Sequence, residues 1–261
     1  METVTHDGRR TAYRLVEGDD SGPTTLYVHG SGGTHRLWSP QYGPNGPAHP
    51  AVAVDLSGHG ESEDIDAPPG PETLAAYVSD VVAVASETAP AVLVGTSLGG
   101  AVVLQTVLER ECKPQALVLA GTGAKLAVLD ALREDLATDF EAAVDFLHAE
   151  ERLFFDPSGR VREHSTRRMT AVGQAVTRRD FETCHRFDVR DRLDEIDVPT
   201  LAVCGEHDHL TPPAYHESLT AKVPEATMAT VPKAAHLAMA ERPTAFNEAL
   251  AGFFDRVFVD E

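Results

Sequence analysis

The chain has 261 residues, 42% hydrophobic and 24% charged, enough for one globular domain with an inserted subdomain and a large core. Asp and Glu total 41 against 22 Lys and Arg, a formal net charge of −19, which argues against nucleic acid or anionic membrane as partners and against steering of highly anionic substrates. Cys112, Cys184 and Cys204 follow no metal or disulfide spacing, no apolar run is long enough to span a membrane, and the polar start Met1 to Gly8 has no signal-peptide core, so the expectation is a cytoplasmic protein with reduced thiols, a monomer or homodimer, needing no metal or organic cofactor.

In chain order, Thr11 to Val16 alternates apolar and polar side chains and, with Asp7-Gly8 before it, predicts an N-terminal hairpin. Thr25 to Val28 predicts a strand running into His29-Gly30-Ser31-Gly32-Gly33. Ala51 to Val54 predicts another, ending in Asp55 and Ser57-Gly58-His59-Gly60. Ala91 to Val94, Ala116 to Ala120 and Leu201 to Cys204 predict three more, each followed by glycine. Continuous β-branched runs bounded by glycine suit parallel strands buried on both faces. Helices are predicted over Glu72 to Glu87, Leu98 to Glu109, Pro213 to Val223 and Thr244 to Phe254. Strand and helix alternation predicts an α/β fold with a mostly parallel central sheet, flanking helices and right-handed crossovers.

The alternation breaks between about Gly123 and Asp194, a stretch rich in Ala, Leu, Asp, Glu and Arg. It predicts several helices, with a break at Asp156-Pro157-Ser158-Gly159, and hence a helical cap over 127–193 inserted between core segments 1–126 and 194–261.

Gly95-Thr96-Ser97-Leu98-Gly99 matches the nucleophile-elbow pattern Gly-x-Ser-x-Gly. The pattern alone is loose, but here it follows an apolar strand and opens an apolar helix. Such a turn projects the serine hydroxyl above the sheet in a strained backbone conformation, with the positive end of the helix dipole beside it. The plainer alternative is a strand-to-helix turn in which Ser97 caps the helix. A serine hydroxyl is a weak nucleophile and needs a base oriented by a carboxylate.

Several motifs occur in order: His29 to Gly33, Asp55-Leu56-Ser57-Gly58-His59-Gly60-Glu61-Ser62, the elbow, Gly205-Glu206-His207-Asp208 and Ala235-His236. Together they make the chain resemble the α/β-hydrolase fold superfamily, in the group of serine esterases, cofactor-free haloperoxidase-like enzymes and enol-lactone hydrolases. The resemblance covers nearly the whole length apart from the cap. It implies Ser97 as nucleophile, His236 as general base, and Asp208 as the acid that orients it. Glu206, two residues earlier, stays open as a rival acid. The resemblance further implies an oxyanion hole from the backbone N–H of Leu98 and of Ser31, or less readily of Gly32, with Gly30, Gly32 and Leu237 against the substrate. His29, His59, His207 and His209 read as structural or surface histidines, Asp55 to Ser62 as a structural turn, and Trp38 as packing.

The implied activity is hydrolysis of a small carboxylic ester or lactone through an acyl-enzyme. C–C bond hydrolysis of a dienoate, or an elimination, would use the same triad. Many such enzymes carry tryptophan after the histidine where Leu237 stands, and a diacid would need arginines such as Arg36, Arg152, Arg167 or Arg168 brought together. A ligand-binding module on the same fold is the third alternative. Leu126, Leu129, Leu132, Phe140, Phe146, Phe154 and Phe155 are expected mostly to pack the cap onto the core, the alternative being an apolar pocket wall, and the substrate expected is an ester with a short to medium apolar acyl group. The acidic composition resembles that of proteins from salt-loving archaea, in which high salt screens self-repulsion.

Overall fold

In the computed structural model, which describes residues 1–18, 22–44, 46 and 49–258, the chain begins with the predicted hairpin. Its strands β1 (Glu2–His6) and β2 (Arg9–Val16) are joined by Asp7 and Gly8, both at positive φ, as a tight hairpin turn demands. The other strands are β3 (Thr25–Val28), β4 (Ala51–Val54), β5 (Val92–Thr96), β6 (Ala116–Ala120), β7 (Thr200–Gly205) and β8 (Ala226–Val231). They form one sheet in the order β1-β2-β4-β3-β5-β6-β7-β8, antiparallel at β1, β2 and β4 and parallel from there on.

Every residue of β3 to β7 is buried, which is why these runs are apolar without alternation. Alternate side chains feed two cores. Leu26, Val28, Leu117 and Leu119 point into one, while Tyr27, Ala116, Val118 and Ala120 point into the other. On the first face lie α2 (Pro71–Thr88) and α3 (Leu98–Leu108). Every residue of α3 except Gln105 is buried, so its sequence is apolar nearly all round.

A short 3₁₀ turn (His35–Trp38) and the one-turn helix α1 (Ser39–Tyr42) follow β3; neither has the length that periodicity can detect. Trp38 is fully buried against Tyr27 and Phe246, as its packing reading expects.

Between β6 and β7 the chain forms α4 (Asp130–Thr138), α5 (Phe140–His148), α6 (Gly159–Val172) and α7 (Gln174–Arg186). Ser158, in the expected break, caps α6 by accepting from the Val161 amide. After β7 come α8 (Pro213–Lys222), the one-turn α9 (Ala238–Glu241) and α10 (Pro243–Phe258), whose Phe246, Leu250, Phe253 and Phe254 fill the second core. Among the described residues no helix is long and apolar enough to cross a membrane.

The register aligns the strand ends. Val28 pairs with Gly95, Thr96 with Ala120, and Gly205 with Val231. The loops after β3, β5, β6, β7 and β8 therefore leave the sheet at one edge, where parallel α/β sheets bind ligands.

Candidate active site

Ser97 sits between β5 and α3 at φ 53° and ψ −119°, in the left-handed region that a non-glycine residue enters only when its surroundings force it. Two contacts force it. The Ser97 amide donates to Ala120 O at 3.1 Å, and the Thr122 hydroxyl donates to Ser97 O at 2.8 Å. The flanking glycines let the turn close: a Cβ on Gly95 would lie 2.2 Å from Gly99 O, and one on Gly99 would lie 2.4 Å from Val28 O. Ser97 occupies the N-cap position of α3, yet its side chain makes no capping hydrogen bond, so the helix-capping alternative fails.

His236 comes from the loop after β8 and is buried. Its Nδ1 lies 3.0 Å from Asp208 Oδ2, in the loop after β7. Asp208 is held in turn: the Leu210 and Thr211 amides donate to Oδ1 at 2.9 and 2.8 Å, and the Thr211 hydroxyl donates to Oδ2 at 2.7 Å. Burial pushes the Asp208 carboxyl upward, but His236 and the Thr211 donors outweigh it and hold the group below the usual carboxylate range. The rival Glu206 is exposed and accepts from the Lys233 amide at 3.0 Å; among the described residues it forms no hydrogen bond with His236. Thr211 escaped the sequence reading, although Asp208-x-x-Thr211 is a recognisable side-chain-to-backbone turn.

The loop His29 to Gly33 passes beside Ser97: a Cβ on Gly30 would lie 3.0 Å from Ser97 Cβ. His29 is structural, its Nδ1 on Gly30 O at 2.9 Å and its Nε2 accepting from the Leu56 amide at 3.1 Å. Burial lowers its pKa to about 4, so it is neutral. Asp55 is structural as well, gripping the His35 amide and ring at 2.7 and 2.9 Å. His207 stacks on Phe155, and His209 is exposed near Glu151. Among the described residues the Leu98 and Ser31 amides have no acceptor in the protein, whereas the Gly32 amide donates to Asp180 Oδ2 at 2.9 Å. Gly32 is thereby committed elsewhere, leaving Leu98 and Ser31 as the available donors.

Asp180, on α7, is a feature that sequence reasoning missed. It is fully buried, accepts from Tyr77 OH at 2.7 Å, and lies 2.9 Å from His59 Nε2. His59 Nδ1 lies 3.1 Å from Ser57 O, so both ring nitrogens face acceptors and the ring carries both protons. Burial opposes that charge, but Asp180 outweighs it and raises the His59 pKa; the same pairing overrides burial to lower that of Asp180. Through Asp180, α7 grips the Ser31-Gly32 turn. Cys184, one turn further along α7, adds a contact of 3.7 Å to the Ser31 hydroxyl. Glu241 does similar service for His236: its buried carboxylate accepts from the Ala235 and Phe155 amides at 3.0 Å and from Asp156 at 2.6 Å.

Asp180→Asn is expected to lower stability to urea by about 3–5 kcal/mol, because it leaves a buried imidazolium unpaired. A raised histidine pKa stabilises fully below the unfolded value of about 6.5 and is lost as pH rises through the folded value. A lowered aspartate pKa stabilises above the unfolded value of about 3.9 and is lost as pH falls through the folded one. The difference between wild type and variant should therefore be widest between about pH 4 and 6.5. A pH-independent difference would mean that His59 is neutral in the fold.

Ser97, His236, Gly30, Ser31, Gly32 and Leu237 all line one cavity of about 450 Å³, within the range of small-molecule sites. Of the seven apolar residues expected mostly to pack the cap, Leu126, Leu129, Leu132, Phe146 and Phe154 also line this cavity. Phe140 packs into the second core and Phe155 on His207. Among the described residues no group of His, Cys, Asp and Glu is arranged to hold a metal ion.

The model of the alpha/beta hydrolase family matches residues 26–249. A pimeloyl-[acyl-carrier protein] methyl ester esterase of Neisseria meningitidis is 30% identical over 88% of this chain and 76% of its own. A solved thermophilic esterase superposes with a TM-score of 0.85 at 31% identity, covering 98% of both chains. An enol-lactonase from Burkholderia xenovorans superposes with a TM-score of 0.83 over 97% of this chain and 99% of its own; at 21% identity this likeness concerns the fold alone.

Proposed function

The chain belongs to the alpha/beta hydrolase family, and on that premise we propose that it is a serine hydrolase cleaving small carboxylic esters or lactones through an acyl-enzyme. The observation that carries this reading is the contact of 3.0 Å between His236 and a buried, multiply held Asp208, beside the cavity that Ser97 lines from its strained turn. With Nδ1 donating to Asp208, Nε2 of His236 is the nitrogen free to take a proton. Ser97 Oγ attacks the substrate carbonyl as His236 removes its proton. The oxyanion of the tetrahedral intermediate receives hydrogen bonds from the Leu98 and Ser31 amides, each worth about 3 kcal/mol of barrier. His236 then protonates the leaving alcohol, and water repeats the cycle in reverse to release the acid. Every proton and electron pair moves between side chains, substrate and water.

In the same reading residues 127–193 act as a cap, since α4 to α7 supply much of the cavity wall and hold the oxyanion loop. The acidic surface goes with work at high salt, where counterions screen a net charge of −19.

One experiment tests both. The protein is incubated with a fluorophosphonate probe in dilute buffer and in molar KCl, with its thermal midpoint recorded in each. Labelling confined to the peptide containing Ser97, and a midpoint that rises with KCl, are expected. No labelling of folded protein would sink the hydrolase reading, and full stability in dilute buffer would sink the halophilic one.

A further inference from the structure

The cavity and the chain as a whole carry opposite charge. Asp and Glu make up 41 of the residues, yet among the described residues none of them lines the cavity, whereas Arg152, Arg168, His164 and His209 do. Helix α6 is turned to produce this. Val161, His164, Ser165, Arg168 and Met169 lie on one helical face, and all five line the cavity. Met169 anchors that face at the reacting end, its Cγ 3.0 Å from where a Cβ on Gly32 would stand.

The arginines on this wall are uncompensated. Arg167, the neighbour of Arg168 on the outer side of α6, pairs with Glu163 at 3.4 Å. Among the described residues, Arg36, Arg152 and Arg168 form no ion pair with any carboxylate. Arg152 lies over the Phe146 ring at 4.6 Å instead. Arg168 is half-buried, and burial, aided by the positive charge of Arg36 and opposed by Tyr42, weakens its hold on its proton. Tyr42 lies in the field of Arg14, Arg168 and Arg36 together. Leaving the half-buried Arg168 guanidinium without a carboxylate partner is unfavourable, and a chain with so many carboxylates had ample means to pair it.

We infer that Arg168, with Arg152 lining the same cavity, binds a carboxylate of the substrate remote from the reacting carbonyl, so that the preferred substrates are monoesters or lactones of dicarboxylic acids. The inference rests on the ester-hydrolase reading for its reaction and on the cavity wall for its specificity. The net charge of the chain argues against long-range attraction of anions, but the wall reverses that argument at contact distance, where a guanidinium forms paired hydrogen bonds to a carboxylate.

The test compares p-nitrophenyl hydrogen adipate with p-nitrophenyl hexanoate, which share a six-carbon acyl chain and differ in the terminal carboxylate. Wild type is expected to favour the acidic ester by about tenfold or more in kcat/KM, the scale of one charge-assisted hydrogen bond. Arg168→Gln should abolish that preference, its loss in kcat/KM falling mainly in KM and being far larger on the adipate than on the hexanoate. Equal loss on both esters, or a wild-type preference for hexanoate, overturns the inference. Calorimetry with Ser97→Ala separates binding from turnover: monomethyl adipate should bind more tightly than methyl hexanoate, and only while Arg168 is present. Failure of that binding overturns the inference even if hexanoate is cleaved. Arg168-dependent binding without any ester cleavage upholds the anion site and overturns the hydrolase reading.

Discussion

Replacing Ser97 by alanine is expected to lower kcat on a p-nitrophenyl ester by about 10⁴-fold or more while leaving the thermal midpoint unchanged. The two halves of this result have separate physical sources. The backbone contacts that set the turn, from the Ser97 amide to Ala120 O and from the Thr122 hydroxyl to Ser97 O, do not use the serine hydroxyl. No capping bond is lost, because the side chain makes none. Alanine keeps the Cβ and with it the same strain at φ 53°. Glycine would relieve that strain, of the order of 1–3 kcal/mol, so a Ser97→Gly variant should be the more stable of the two. What alanine removes is the nucleophile alone, and the rate that persists reflects the oxyanion donors and substrate binding. The decisive readout is the rapid first turnover of p-nitrophenol that acyl-enzyme formation gives. A burst that persists in Ser97→Ala would place the nucleophile elsewhere.

The legible parts of this chain are those where one local pattern answers to one local cause. The apolar runs of β3 to β7 are continuous because each strand is buried on both faces, and the Gly-x-Ser-x-Gly turn has its glycines because neighbouring backbone passes within 2.2–2.4 Å of where their Cβ atoms would be. Asp208 and Glu206 were harder to separate, since both lie in the loop after β7. Pairing of Gly205 with Val231 is what brings that loop beside the one carrying His236. Asp180 was not legible at all. Its partner His59 is 121 residues away, and no periodicity records such a contact. Helix α6 was legible only in part. Arg168 is among the arginines a diacid would need, but no sequence spacing sets it, rather than its neighbour Arg167, on the face that lines the cavity.

Asp208→Asn is the second change expected to be severe, again about 10⁴-fold in kcat, with stability altered far less. The asparagine oxygen can still accept from the Leu210 and Thr211 amides, so the loop keeps its shape. Its amide nitrogen then stands where Asp208 Oδ2 faces His236 Nδ1 at 3.0 Å. A donor there asks Nδ1 to accept, which moves the ring proton to Nε2 and leaves that nitrogen unable to receive a proton from Ser97. The charge that would stabilise the imidazolium is lost as well. Glu206→Gln is the matched control: Glu206 is exposed and bonded to the Lys233 amide, so its loss should change kcat less than about twofold, as for a surface substitution. The comparison is strict because the two carboxylates are two residues apart on one loop. If Glu206→Gln costs more than Asp208→Asn, the acid has been assigned to the wrong side chain. If both are harmless, His236 works without a carboxylate partner, and the hold of Thr211 on Asp208 serves only the fold.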